Sequence, residues 1–265
     1  MRCICNILIL FVLIYSSTIS SETISFDGGS LQITSPILIT NSNTTIRGNN
    51  TSLLLKSNSN CPIIIIGNPY GRPLTNIEVC NLTLHGNRRE QSTELWKILP
   101  CGIINNNGII VQNARDIFVH DINIEGCRSG GLITTFHVSH LIVSNMSSFN
   151  NEFDGIACYE TKDSIFVNLI LYDNRAAGIS LDDHFNSNRF RDIYIKNNEV
   201  GIFMRNSCSN MFSNINIENC HLKMFISHVD KDMKTGCTDN IFEKVVGNGK
   251  FIINEETCNN NVFKF

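Results

Sequence analysis

The chain has 265 residues, a formal net charge of -3 and 17% charged residues. No basic block occurs, which argues against a nucleic-acid partner, and no CxxC pair or HExxH motif marks a zinc site. Only five prolines and one tryptophan, against abundant asparagine and isoleucine, direct the reading toward repeats.

Residues 1–20 have the form of a secretory signal: one basic residue (Arg2), an apolar core from Ile4 to Tyr15, then small residues including Thr18 and Ser20. Ser21 or Glu22 is the expected start of the mature chain. It would be secreted, extracellular or periplasmic, with no membrane contact once the signal is gone. Residues 21–265 are expected to form one domain. Cys3 and Cys5 leave with the signal; the odd number of cysteines that stay predicts some disulfides and at least one thiol.

The stretch "SPILITNSNTTIRGNNTSLLL" reads as the first coil or two of a repeat. "NIEVCNLTLHG" and "DIFVHDINIEG" share one spacing, so Ile77, Val79, Leu82 and Leu84 match Ile117, Val119, Ile122 and Ile124. Residues 85–104 interrupt the pattern; their Arg88, Arg89 and Trp96 could close over a ligand as well as pack on their own coil. From there Gly108, Gly131, Gly155, Gly178 and Gly201 recur at intervals of 23, 24, 23 and 23. Each glycine opens a short segment whose alternate residues are mostly apolar, the mark of a strand buried on one side.

A second apolar set follows each strand: Val167 and Ile170, then Phe190, Ile193 and Ile195, then Phe212, Ile215 and Ile217. Asn151, Asn174, Asn197 and Asn219 are read as one column. "NRF", "NMF", "NIF" and "NVF", starting at Asn188, Asn210, Asn240 and Asn261, form another, with stacked phenylalanines as core. A second excursion surrounds "HVDKDMKTG". Two or three strands per period with no helix predict an all-β fold, a single-stranded right-handed parallel β-helix of about nine or ten coils. His85, His120, His137 and His140 read as turn or surface residues. Cys237 and Cys258 each precede an N-x-F asparagine by three residues, which places them face to face on adjacent coils as a disulfide; Cys208, offset by one, competes for Cys237.

These coils, with "PILITNSNTTIRGNN" and "NLTLHGNRREQ", resemble the pectate-lyase-like superfamily of right-handed parallel β-helices. Residues 128–206, through "FDGIACY" and "NNEVGIFMR", look most like mannuronan C5-epimerase coils. The resemblance implies a β-helix in a carbohydrate setting, and it does not carry a mechanism. Where those epimerases have a tyrosine, an aspartate and a histidine, this chain has Gly130, Ile133 and Thr135. Of the polygalacturonase motifs only Asp154 of "FDG" matches.

Counting from each glycine puts Gln112, Thr135, Tyr159, Asp182 and Arg205 in one column; Glu160, Asp183, Asn206 and, with a one-residue shift, His228 in the next; then Thr161, His184 and Ser207. This polar strip would span roughly 15 Å, a few sugar units. Tyr159 would stack on a sugar and Arg205 would neutralise a carboxylate. Asp182 or Asp183 would move protons with His184 or His228, while Glu160, Asn206 and His228 complete the binding set. Glu160 and Asp183 on adjacent rungs could form a close carboxylate pair, as in retaining glycosidases. The bland alternative makes Asp182 and Arg205 an ordinary cross-strand ion pair and Asp183 and His184 turn residues. No cofactor motif is present; Glu160, Asp182 and Asp183 offer oxygens that Ca²⁺ could use, without a binding loop. Two functions fit: a polysaccharide lyase or glycosidase acting on an extracellular glycan, acidic or neutral, and a non-catalytic glycan-binding, adhesive or surface-structural solenoid. Oligomeric state cannot be read.

Overall fold

A computed structural model of the chain describes residues 21–91, 97–99, 102–104, 106–227, 236–253 and 257–264. Residues 1–20, expected to be a signal, and Trp96, Cys101 and His228 lie outside the described residues. Within them, an eleven-stranded parallel sheet runs from Glu22–Ile33 to Val262–Lys264, and a nine-stranded parallel sheet from Ile37–Ile39 to Lys250–Ile253. The chain alternates between the two, one long-sheet strand and one short-sheet strand per coil. This is the expected parallel β-helix, at the expected number of coils. The first excursion carries a short 3-10 turn, Arg88–Glu90, and an antiparallel hairpin of Lys97–Leu99 with Gly102–Ile104.

The glycine-led segments are the short-sheet strands Ile109–Gln112, Leu132–Thr135, Ile156–Tyr159, Ala177–Asp182 and Val200–Arg205. Close approach of the next coil demands the glycines. A Cβ on Gly178 would meet Ile195 Cγ2 at 2.6 Å, and one on Gly201 would meet the Lys223 carbonyl oxygen at 2.5 Å. Along the long sheet, strands bend at single left-handed residues such as Asn145, Asn168, Asp192 and Asn214, with φ of 51°, 56°, 57° and 55°. Asparagine and aspartate take that conformation at low cost.

Inside, Phe166, Phe190, Phe212, Phe242 and Phe263 stack with centroids 4.5, 5.2, 4.7 and 4.8 Å apart. Beside them the N-x-F asparagines form a buried file. Asn188 Nδ2 donates to Asn210 Oδ1 (3.2 Å), Asn210 Nδ2 to Asn240 Oδ1 (3.1 Å) and Asn240 Nδ2 to Asn261 Oδ1 (3.0 Å). Each carbonyl oxygen also accepts the preceding asparagine's backbone N–H, so corner amides that would be orphaned are satisfied.

Two sequence readings slip by one residue. Asn151 and Asn174 do stack, with Asn151 Nδ2 donating to Asn174 Oδ1 at 2.9 Å, but the file continues through Asn198. Asn197 belongs to the exposed neighbouring column, donating to Asp173 Oδ1. The coil here is one residue longer than the coil before it and two longer than the coil after it, which a fixed period hides. In the strand Ile165–Tyr172 the buried set is Phe166, Leu169 and Leu171; Val167 and Ile170 face outward, and Ile170 is 43% exposed. Both faces of this strand are apolar, so alternation alone does not choose between them.

Cys237 and Cys258 sit on adjacent coils as expected, the Cys237 backbone N–H donating to Cys258 Sγ at 3.5 Å. The structure holds both as thiols, and the hydrogen bond between them together with burial pushes the Cys237 thiol up. Oxidation in a secretory compartment is expected to join this pair, since the thiols already face each other. Peptide mapping under non-reducing conditions checks it: two free thiols, or a Cys208–Cys237 bridge, would refute the pairing.

Candidate active site on the short sheet

Strand alternation on the short sheet turns Ile156, Cys158, Ile179, Leu181, Ile202 and Met204 into the core. Ala157, Ser180 and Phe203, and beside them Tyr159, Asp182 and Arg205, therefore face outward. Tyr159 pairs with Asp182 in register. Arg205 grips Asp182 with two hydrogen bonds: Nε donates to Oδ1 at 2.7 Å, and Nη2 donates to Oδ2. The Asp183 backbone N–H adds a third at 2.8 Å. The Asp182 side chain is only 6% exposed, while Arg205 keeps 36%.

This is not the exposed ion pair of the bland reading, because a bidentate guanidinium on a buried carboxylate is the strong form of that interaction. Burial pushes the Asp182 carboxyl above the usual range, against the pull of Arg205; Arg205 itself is held charged more firmly by Asp182. The Tyr159 phenol is driven well up, first by burial and then by the carboxylates of Asp154 and Asp182. Tyr159 at neutral pH is therefore a neutral donor.

The rest of the strip disperses. Glu160, Asp183 and Asn206 do stack at one corner, in left-handed conformations with φ of 43°, 43° and 46°. There the Glu160 N–H donates to the Asp183 carbonyl (2.8 Å) and the His184 N–H to the Asn206 carbonyl (2.9 Å). The Glu160 carboxylate, however, lies 3.0 Å from His137 Nδ1 rather than facing Asp183. The expected carboxylate pair and the Ca²⁺ ligand trio are thus not assembled, because corner geometry splays these side chains and Arg205 occupies both Asp182 oxygens. His184 is exposed at the turn, and Asn206 is buried. His228 lies outside the described residues.

Two groups of residues were missed. Asp154 precedes the strand Ile156–Tyr159; its Oδ1 accepts the Ala177 N–H at 2.8 Å, and burial raises its carboxyl to about 6. Its signal was present only as the single match to a polygalacturonase motif. The second group is Arg128, Glu152 and Arg175, which with Gln91 and the already singled-out Arg88 and Arg89 line a basic depression of about 460 Å³. Glu152 is its hub, with Arg128 Nη1 at 3.4 Å, Arg88 Nη1 at 3.7 Å and Arg175 Nη1 hydrogen-bonded to the carboxylate. Three guanidinium groups meet one carboxylate there, and Arg89 lines the depression beside them. Arg128, Glu152 and Arg175 each lie three residues before a repeat glycine, so a column drawn at that phase finds them.

No family model matches the chain, and no curated protein matches it by sequence. Solved structures do match. A family 28 exopolygalacturonase of Yersinia enterocolitica superposes with a TM-score of 0.64 at 9% identity, over 89% of this chain and 55% of that one. The gp42 tailspike of an Acinetobacter phage gives 0.63 at 10% identity, over 85% and 40%. The A-module of mannuronan C-5 epimerase AlgE4 from Azotobacter vinelandii gives 0.52 at 11% identity, over 92% and 89%. The chain has a parallel β-helix fold, which these solved structures share. It spans about half the length of the polygalacturonase and less of the tailspike. At these identities the likeness is one of fold, and β-helices carry many chemistries on the same coils.

Proposed function

We propose that the chain is a secreted glycan-processing β-helix protein that lays an acidic polysaccharide across the outer face of the short sheet and cleaves it by acid-assisted hydrolysis. The observation that carries this reading is the grouping of Tyr159, Asp182 and Arg205 on that face, with the protonatable Asp154 at its leading end. Asp154 gives its proton to the glycosidic oxygen as the bond to the sugar breaks. Asp182, its charge held by Arg205, stabilises the positive charge developing on the sugar ring; water then adds to that ring carbon, and the proton it loses returns to the Asp154 carboxylate. Tyr159 offers a ring face to the sugar and a neutral hydroxyl. Small side chains at Ala157 and Ser180 leave the middle of the face low. The four arginines around Glu152 favour a carboxylate- or sulfate-bearing chain over a neutral one. Similarity to an exopolygalacturonase and to an epimerase module that acts on mannuronan supports the carbohydrate setting.

A binding-only solenoid is the second reading, favoured by the same bidentate pair, since Arg205 and Asp182 satisfy each other without substrate. The test is a screen of purified mature protein on polyuronates, sulfated glycans and neutral glycans. New reducing ends, unsaturated products and simple binding are read separately. New reducing ends on an acidic glycan, without unsaturation, are expected. Unsaturated products would replace hydrolysis by a lyase reaction. Binding alone would establish the second reading, and no response to any glycan would end both.

A further inference from the structure

On the long sheet, away from the glycan face, three potential metal ligands converge from two adjacent coils. Glu78 and Cys80 lie two apart on the strand Leu74–His85, so both point outward, and Cys80 pairs in register with His120 on Ala114–Glu125. A carboxylate oxygen, the thiol sulfur and a ring nitrogen all lie within 4.8 Å of one another. The expectation that His120 is a turn or surface residue is overturned, since it sits mid-strand with its ring largely covered.

The ring is also oriented as a ligand. Its Nδ1 is 2.6 Å from Asp121 Oδ2 and its Nε2 3.1 Å from Glu78 Oε1, so the ring is held between two carboxylates with Nε2 turned to the side of the candidate ligands. Phe118 stacks on the ring with centroids 4.0 Å apart, so it cannot swing away. A carboxylate behind a histidine ring is the outer-shell arrangement that metal-bound histidines recur in. Cys80 faces outward yet is fully buried, with Asn81 Nδ2 donating to its sulfur at 3.6 Å.

We propose that Glu78, Cys80 and His120 bind one Zn²⁺ ion, with water in the fourth position. Thiolate, imidazole and carboxylate together suit zinc, at bond lengths of about 2.0–2.3 Å, and ligand atoms already this close need only a small contraction to reach them. Binding expels the Cys80 thiol proton, and any proton on Nε2, to solvent. The ion then clamps two coils across the point where residues 85–104 interrupt the repeat. This site is independent of the proposed glycan face.

The test uses the mature protein after chelator treatment, titrated with Zn²⁺ and, for spectroscopy, with Co²⁺. One ion per chain, a thiolate-to-cobalt charge-transfer band and a higher melting temperature with Zn²⁺ are expected. Cys80→Ser should abolish the band, Asp121→Asn should weaken zinc binding by about 10–100-fold, and Cys61→Ser should change neither. Cys80 points out of the core, so its serine variant should fold, which circular dichroism checks. Absence of the band in the wild-type protein, or its survival in Cys80→Ser, overturns the assignment.

Discussion

Asp154→Asn is expected to leave the fold intact, raise its stability at neutral pH and reduce glycan cleavage by about 10²–10⁴-fold, the usual contribution of a positioned acid. The amide can still accept the Ala177 N–H through Oδ1, so the local backbone keeps its partner. In the native chain this carboxyl titrates at about 6, raised by burial, whereas in the unfolded chain it titrates at about 3.9. Between those values the unfolded chain has released the proton and the native chain still holds it. Wild-type stability therefore falls as pH rises through that window and stays lower above it. The asparagine variant is spared that loss and should be more stable at pH 7.5 by on the order of 1–3 kcal/mol. Denaturant titrations at pH 4.5 and 7.5, with cleavage rates on the same preparations, test both halves. Unchanged cleavage would remove Asp154 from the chemistry; an unchanged pH dependence of stability would show that its carboxyl is not held protonated.

The second large effect lies in the stack. Ile179 is fully buried, with Ile156 and Ile202 directly across from it on the neighbouring coils. Ile179→Asp would place a charge with no partner among those side chains, costing at least about 4 kcal/mol, a large share of a domain stability of roughly 5–15 kcal/mol. Ile142→Asp makes the same exchange on the outer surface, where the side chain is 41% exposed, and should shift stability by no more than about 0.5 kcal/mol. Urea unfolding midpoints compare the two. Equal midpoints would mean that the inward and outward faces are wrongly assigned.

The architecture was readable because stacking puts the same demand on every coil. A side chain on the repeat glycines would strike the next turn, and the N-x-F asparagines must satisfy the next corner, so both recur along the chain. Where the demand is relaxed the reading slipped, as in Ile165–Tyr172, whose outer face is also apolar, and at the longer coil before Asn198. Tyr159, Asp182 and Arg205 were found because they share a column. Spacing did not reveal that Arg205 buries Asp182, nor that Glu160 turns to His137, since both depend on side-chain directions at a corner. Asp154 and the Glu152 arginines stand before the strands, at a phase the column count left out. Glu78, Cys80 and His120 are separated by an excursion that no metal-binding spacing anticipates; register brings them together.

The amide-to-amide bonds of the file from Asn188 to Asn261 run in one sense, Nδ2 of Asn188, Asn210 and Asn240 each donating to the Oδ1 on the later coil while its other N–H meets a carbonyl of the earlier one. Amide dipoles aligned head to tail polarise one another, so each link strengthens the next. The file is therefore an electrically directed element along the solenoid axis, with its negative end toward the earlier coils and its positive end at Asn261. At Asn261 Nδ2 meets the Cys237 carbonyl as Asn240 Nδ2 meets that of Ser207 and Asn210 Nδ2 that of Phe185. It adds the Cys258 carbonyl of its own coil, so these carbonyls face the positive end of the file.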